Sequence, residues 1–228
     1  MAGKPSFVLA VTGLRAEARI AERSVGVKTI AGGGDAQRLA DLIGQAIANG
    51  AGALVSFGIA AGLSPTLAAG SCVVAGKVVH EGKSYATDSD WSVAIKQAVG
   101  VAELVTIAGV DHVLQSQAEK AALYAKSGAV AADMESHIVA RLATKHGLPF
   151  AVLRAIADPV SRAIPTAALA GMGTDGHVKI GAVLLSLAGN PAQLPALLHL
   201  AADTRQAFRT LLRCHDLLGP RLGCRDLG

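Results

Sequence analysis

An α/β fold, a three-layer sandwich with a central mixed, mostly parallel sheet, follows from three features of this sequence. Short apolar runs alternate with helix-length segments from one end to the other, the pattern of strands joined by helical crossovers. The apolar residues are chiefly Ala, Val, Leu and Ile, with 26 glycines and only 3% aromatics. That composition suits helices packed closely on a sheet and argues against a small β-barrel or a base-stacking nucleic-acid platform. At 228 residues, 51% hydrophobic and 17% charged, the chain supports one large domain over residues 1–228 and is too apolar to stay disordered.

Each element has its own signal. Phe7-Val8-Leu9-Ala10-Val11 reads as a first, central strand that ends at Thr12-Gly13-Leu14 and passes into a helix carrying Arg15, Glu17 and Arg19. A short strand near Val27–Ile30 leads to Gly32-Gly33-Gly34-Asp35, with Asp35 capping a helix that runs to about Asn49. This glycine loop is either a cradle for an anion or plain punctuation before a helix. Leu54-Val55-Ser56-Phe57 is a third strand. After it comes Gly58-Ile59-Ala60-Ala61-Gly62-Leu63-Ser64-Pro65, whose small residues admit a ligand close to the backbone or simply pack tightly. Cys72 to Val79 is apolar but interrupted by Gly76 and Lys77, and Leu104-Val105-Thr106-Ile107 is a further strand. Helices are expected over 90–99, 117–126, 134–146 and 176–188, with a final helix from about Ala192 to Leu218.

Two strand ends carry acids. Ala129-Val130-Ala131-Ala132 delivers Asp133 and Glu135, either side of Met134, to the carboxyl end of a strand, where α/β sheets bind small molecules. Phe150 to Ala157 is strand-like and hands over to Asp158-Pro159. Each acid has a plainer role: Asp133 as a helix N-cap, Asp158 as a turn former. Arg154 tips the balance, because a charged side chain in a buried strand is costly unless it meets a carboxylate or a ligand. Both acidic strand ends are therefore expected to face one pocket.

The composition also narrows the partners. A net charge of +4 without a dense basic block argues against nucleic acid. The three cysteines, Cys72, Cys214 and Cys224, lack paired spacing, and the seven histidines lack ligand spacing, so neither a disulfide framework nor a metal site is expected. No apolar run is long enough to span a bilayer, and Phe7–Val11 is too short for a secretory core, so a cytoplasmic protein is expected. No dinucleotide-binding glycine fingerprint follows the first strand.

Four segments taken together carry a resemblance: Thr12-Gly13-Leu14-Arg15-Ala16-Glu17, Gly58-Ile59-Ala60-Ala61-Gly62-Leu63, Ala132-Asp133-Met134-Glu135-Ser136 and Arg154-Ala155-Ile156-Ala157-Asp158. In this order they resemble the nucleoside phosphorylase and nucleosidase superfamily, over nearly the whole chain. Within it, the short length and the Gly33-Gly34-Asp35 and Met134-Glu135-Ser136-His137 details look most like the hopanoid-associated phosphorylases, which act on adenosylhopane. The resemblance implies that Asp158 protonates the purine at N7, that Glu135 grips the ribose hydroxyls and that Met134 packs on the sugar. It implies that Glu17 orients and deprotonates an attacking water, with Ile59, Ala60 and Gly62 beside the substrate and Arg154 behind the acids. Ala157 stands where the family usually has a serine, Ile59 replaces a small polar residue, and the segment Asp111–Leu114 offers no aromatic to stack on the base. The stretch Glu81–Tyr85 runs quickly into the helix of Trp91, leaving the 5′ side of the nucleoside open to a bulky group.

The nucleophile is open between water and phosphate. A carboxylate at position 17 favours water, since it repels a dianion, whereas Arg15 and the amides of Gly33 and Gly34 suit an anion. Phosphate is thus a candidate co-substrate, and no other cofactor is expected. A lipid-linked substrate implies contact with a membrane surface. Arg205, Arg209 and Arg213 recur at one-turn spacing along the last helix and form either that contact or a solvated face. The resemblance also implies a homo-oligomer. A non-catalytic nucleobase-binding protein on the same fold is the competing function, and it has no use for acids at 17 and 158.

Overall fold

The computed structural model describes residues 6–170, 176–177 and 180–225. Its strands are β1 (Phe7–Thr12), β2 (Val27–Ala31), β3 (Ala51–Gly62), β4 (Cys72–His80), β5 (Lys83–Ala86), β6 (Leu104–Gly109), β7 (Ala131–Asp133) and β8 (Phe150–Asp158). The helices are α1 (Arg15–Ala21), α2 (Ala36–Ala48), α3 (Ser89–Val99), α4 (Gln117–Ser127), α5 (Ser136–His146), α6 (Thr166–Ala170), α7 (Ile180–Gly189) and α8 (Leu194–Leu218). Five strand pairs are parallel (β1–β2, β1–β3, β3–β8, β4–β6, β6–β7) and three antiparallel (β3–β7, β4–β5, β4–β8).

Helices cover both faces of this mixed, mostly parallel sheet, and strand alternation decides which residue meets which layer. Val8 and Ala10 of β1, Val55 and Phe57 of β3, and Leu153 and Ala155 of β8 pack with Ile20 of α1, Trp91 and Ile95 of α3, and Leu211 and Cys214 of α8. Their neighbours Leu9, Val11, Leu54, Val152 and Ile156 face Leu39 and Ile43 of α2 and Ile138, Val139 and Ala143 of α5. Both faces are dry, which is why the strands read as continuous apolar runs.

The sheet is not open, as a crevice between strand ends presupposes. β3 is 12 residues long; it pairs with β8 from Leu54 to Ala61 and then with β7 through Ala61 and Gly62. The ring β3–β8–β4–β6–β7 closes on itself. Gly58–Gly62, read as following the third strand, therefore belongs to it, and β7 covers only Ala131–Asp133, starting two residues later than the expected run from Ala129 and ending on the acid itself. β4 runs through Gly76 and Lys77, where a shift of register against β6 accommodates the extra residue. The hairpin strand β5 and the short α6 have no counterpart among the expected elements. α5 starts at Ser136, not Met134, because Met134 and Glu135 form the corner itself. Of the helix expected over 176–188, residues 178–179 lie outside the described residues, and α7 begins at Ile180. The last helix starts at Leu194, after a 3-10 turn at Pro191–Gln193.

Candidate active site

Arg154 organises one wall of the site. It projects from β8, is fully buried, and donates through Nη2 to Asp133 Oδ1 at 2.9 Å, to Glu135 Oε2 at 3.2 Å and to Ser56 Oγ. Asp133 satisfies its remaining capacity by accepting from the amides of Glu135 (2.9 Å) and Ser136 (2.6 Å) and from Ser136 Oγ (2.6 Å). It is the last residue of β7 and not the N-cap of α5, which is Glu135, yet it holds the first amides of that corner and anchors the arginine at once. Burial alone would pull the Arg154 guanidinium down; Asp133, Glu135 and Glu17 outweigh it and hold the group charged.

Glu17 and Glu135 converge from different layers. Glu17, on α1, accepts from Leu14 N at 2.7 Å and from Ile59 N, on β3, at 2.8 Å. Burial pushes its carboxyl up, against the opposing pull of Arg154 and these amides. Glu135 is pushed up to about 7, first by burial, against Arg154, and with help from the charges of Asp133 and Glu17. Two glycines make room for this crowd. A Cβ on Gly13 would lie 2.8 Å from Glu135 Oε1, and one on Gly58 would lie 2.7 Å from both Glu17 Oε1 and Arg154 Nη1.

Asp158 closes the opposite wall, at the end of β8, with Ala157 beside it. Its Oδ2 forms an ion pair of 2.7 Å with Lys120 Nζ from α4. Burial raises the carboxyl, Lys120 lowers it, and the net direction is upward. Lys120 is fully buried and was not among the expected site residues. A lysine in a polar helix reads as solvated; the one cue is that it shares a face with Leu123, three residues on.

Glu17, Asp133, Glu135 and Asp158 line a single cavity of about 700 Å³, together with Gly33, Gly34, Ile59, Ala60, Met134 and Ala157. The cavity extends past Val113 and Leu114 to Ile164, Val183, Leu197, Leu200 and Phe208, an apolar annexe built by α7 and α8. Among the described residues that line it, Phe208 is the one Phe, Tyr or Trp, and His112 stands on the segment that offers no phenylalanine or tyrosine. Three expected site residues lie elsewhere. Gly62 packs its backbone against Ile156 and Pro159. Arg154 sits behind the carboxylates. Arg15 is exposed on α1 and does not line the cavity. The glycine loop is a weaker anion cradle than its sequence implies, because the amides of Gly32 and Gly33 already donate to the carbonyls of Thr12 and Gly13 at 2.8 and 3.0 Å.

One group of metal-ligating side chains occurs among the described residues, His80, Asp111 and His137. His137 Nε2 lies 3.2 Å from Asp111 Oδ1, and His80 Nδ1 lies 3.1 Å from the carbonyl of Gly109. The two rings stack, with centroids 4.2 Å apart and 23° between planes. Lone pairs of stacked imidazoles run side by side and do not converge on one ion, so the trio is better described as an aspartate-bridged histidine stack.

The fold agrees with what is known of other proteins. The family description "Phosphorylase superfamily" matches residues 29–170, more than half of the chain, and the protein belongs to that family. Among solved structures, futalosine hydrolase of Helicobacter pylori superposes with a TM-score of 0.67 at 16% identity, covering 93% of this chain and 97% of that one. The 5′-methylthioadenosine/S-adenosylhomocysteine nucleosidase of the same organism, complexed with a substituted pyrrolidin-3-ol, gives 0.63 at 18% identity, covering 94% and 99%. That of Neisseria meningitidis, with methylthio-immucillin-A, gives 0.63 at 15%, covering 92% and 97%. At these identities the likeness is one of fold. A comparison with curated protein sequences gives no significant match.

Proposed function

We propose that the protein cleaves the N-glycosidic bond of a purine nucleoside, releasing adenine from a 5′-substituted adenosine by attack of water at C1′. The observation that carries this reading is the meeting of Glu17, Glu135 and Asp158 on one cavity. Adenine is a poor leaving group until N7 is protonated. Asp158, whose burial favours the neutral carboxyl, supplies that proton as general acid. As the bond breaks the sugar becomes cationic. Glu135, lifted to about 7 foremost by burial, ionises against that charge while accepting from the ribose hydroxyls, an interaction strongest in the transition state. Met134 packs on the sugar. Glu17, fixed by the amides of Leu14 and Ile59, takes the proton of the water.

Water is favoured over phosphate by the buried Glu17 itself, by the engagement of the Gly32 and Gly33 amides with backbone carbonyls and by the exposure of Arg15. No cofactor takes part in these steps. A nucleoside fills only part of about 700 Å³, and the remainder is mostly apolar, with Thr204 and Arg205 of α8 also lining it. This supports a large apolar 5′ group, with adenosylhopane, the substrate implied by the family resemblance, as the specific candidate. Leu184, Leu185, Leu194 and Leu198 are exposed on α7 and α8, next to the cavity-lining Val183 and Leu197, with Arg205 and Arg209 exposed further along α8. This arrangement supports delivery of a lipid-linked substrate from an anionic membrane surface; the resemblance to oligomeric enzymes makes the same leucines a candidate subunit contact.

The test is a panel of adenosines with 5′ groups of increasing apolar bulk, and inosine, incubated with and without phosphate. Free adenine and a free sugar, independent of phosphate, are expected, with kcat/KM rising with 5′ bulk. Strict phosphate dependence with a ribose 1-phosphate product replaces the nucleosidase with a phosphorylase. Nucleoside binding without release of base identifies a binding protein.

A further inference from the structure

Lys120 is the sole buried residue of α4, and it is an ammonium. Taking such a charge out of water costs several kcal/mol, and replacing a buried ion pair with apolar groups is often neutral or stabilising. Stability therefore does not account for a lysine here. Its three protons meet three carbonyls, those of Asp158 (3.1 Å), Pro159 (3.3 Å) and Arg162 (2.9 Å), while Asp158 Oδ2, 2.7 Å away, is held by charge alone, as an ion pair without a hydrogen bond. One side chain thus ties down both the turn that carries the acid and one of the acid's two oxygens.

The consequence lies in the other oxygen. Oδ2 is sealed from solvent, while 11% of the Asp158 side chain remains open on the cavity that it lines. An ammonium against Oδ2 keeps a proton off that atom, so the proton resides on Oδ1. We propose that Lys120 is the positioning residue of the general acid: it holds Asp158 by Oδ2, directs the transferable proton to Oδ1 facing the purine, and offsets the reluctance of a buried carboxyl to release it. The proposal rests on the nucleosidase reading of Asp158. Ala157 supplies no hydroxyl to orient the acid, and Lys120 does that work from another helix. Among the described residues, Asp203 on α8 also raises the acid, Arg162 Nε pairs with Asp203 at 3.1 Å, and Glu17, His112, Asp133, Glu135 and Arg205 line the same cavity.

Two readouts test this. The first needs no turnover: the Asp158 carboxyl is followed by carbon-13 NMR of aspartate-labelled protein, assigned by its loss in D158N. In K120M it is expected to titrate at least about one pH unit higher than in wild type, since the opposite charge is gone. The second is the pH profile of kcat/KM, whose alkaline limb reports loss of the acid's proton. In K120M the limb is expected to move upward with the titration, while kcat falls about tenfold or more at nearly constant KM; K120R, which keeps a cation, returns the limb toward wild type. K120Q, neutral but able to donate to the carbonyls, carries the comparison should methionine unfold the turn. Asp158 titrating at the same pH with and without the ammonium overturns the proposal, as does a limb that stays in place. If the titration moves but wild type releases base from no nucleoside, the nucleosidase reading has failed, and Lys120 keeps only its hold on the carboxyl.

Discussion

Arg154 is the side chain on which the other charges depend. It meets Asp133 and Glu135 directly and bears on Glu17 through space. Arg154→Met leaves these buried carboxylates without their cation, and the expected loss is about 3–5 kcal/mol of stability, read from urea midpoints; an unchanged midpoint would show that water, not the arginine, compensates them. Asp158→Asn keeps the shape of the acid and removes its proton, so turnover should fall by about 10²–10⁴ while nucleoside binding, followed by calorimetry, persists. Glu17→Gln should lower kcat similarly and remove one of the two ionisations behind the acid limb of the pH profile, leaving that of Glu135, because a carboxyl lifted by burial must lose its proton before it can serve as base. The acids at 133, 135 and 158 and the arginine between them were legible as isolated residues. What could not be read was that Asp133 serves helix and arginine together, or that the partner of Asp158 comes from a helix nearly forty residues upstream in the chain.

At the level of elements, the site depends on how closely β3 passes behind the carboxylates. Gly58 has no space for a side chain, since its Cβ would lie 2.7 Å from Glu17 Oε1 and Arg154 Nη1. Gly58→Ala is expected to displace Glu17 and cut kcat/KM by about a hundredfold, with circular dichroism of the folded protein preserved. Wild-type kcat/KM in that variant would mean that the base does not depend on its position over β3. The sequence placed these glycines beside the substrate. Of the two tasks open to the segment, ligand approach or tight packing, the structure gives Gly58 and Gly62 the second: Gly58 lets one strand approach two buried side chains, and Gly62 packs against Pro159. The difference is tertiary: a glycine looks the same in sequence whether it makes room for a ligand or for a neighbouring strand.

For the whole molecule, the cluster of buried acids makes a prediction about stability. Glu135 is raised from 4.5 to about 7, and Glu17 and Asp158 are raised from 4.5 and 3.8, in each case foremost by burial. Between the unfolded and folded values the native state holds protons that the unfolded chain has released, so stability falls as pH rises. For Glu135 that window runs from 4.5 to about 7. Urea midpoints should therefore decline across it, and Glu135→Gln should flatten the decline; an identical slope in the variant would contradict the assignment. Trp91, the one tryptophan, is buried with its Nε1 donating to the carbonyl of Leu222 at 3.0 Å and reports the unfolding.

The sequence by itself determined the alternation of strands and helices, the two acidic strand ends and the family, because these rest on local periodicity and on short motifs whose order survives at low identity. It also specified that the mostly parallel sheet would be covered on both faces, since continuous apolar strands have no exposed side. Only the tertiary structure decided that the sheet closes through β3 and β7, that the cavity continues into an apolar annexe under α7 and α8, and that Lys120 sits on Asp158. Each of those is a contact between segments far apart in the chain. Their energies depend on burial and distance, and neither quantity exists until the chain has folded.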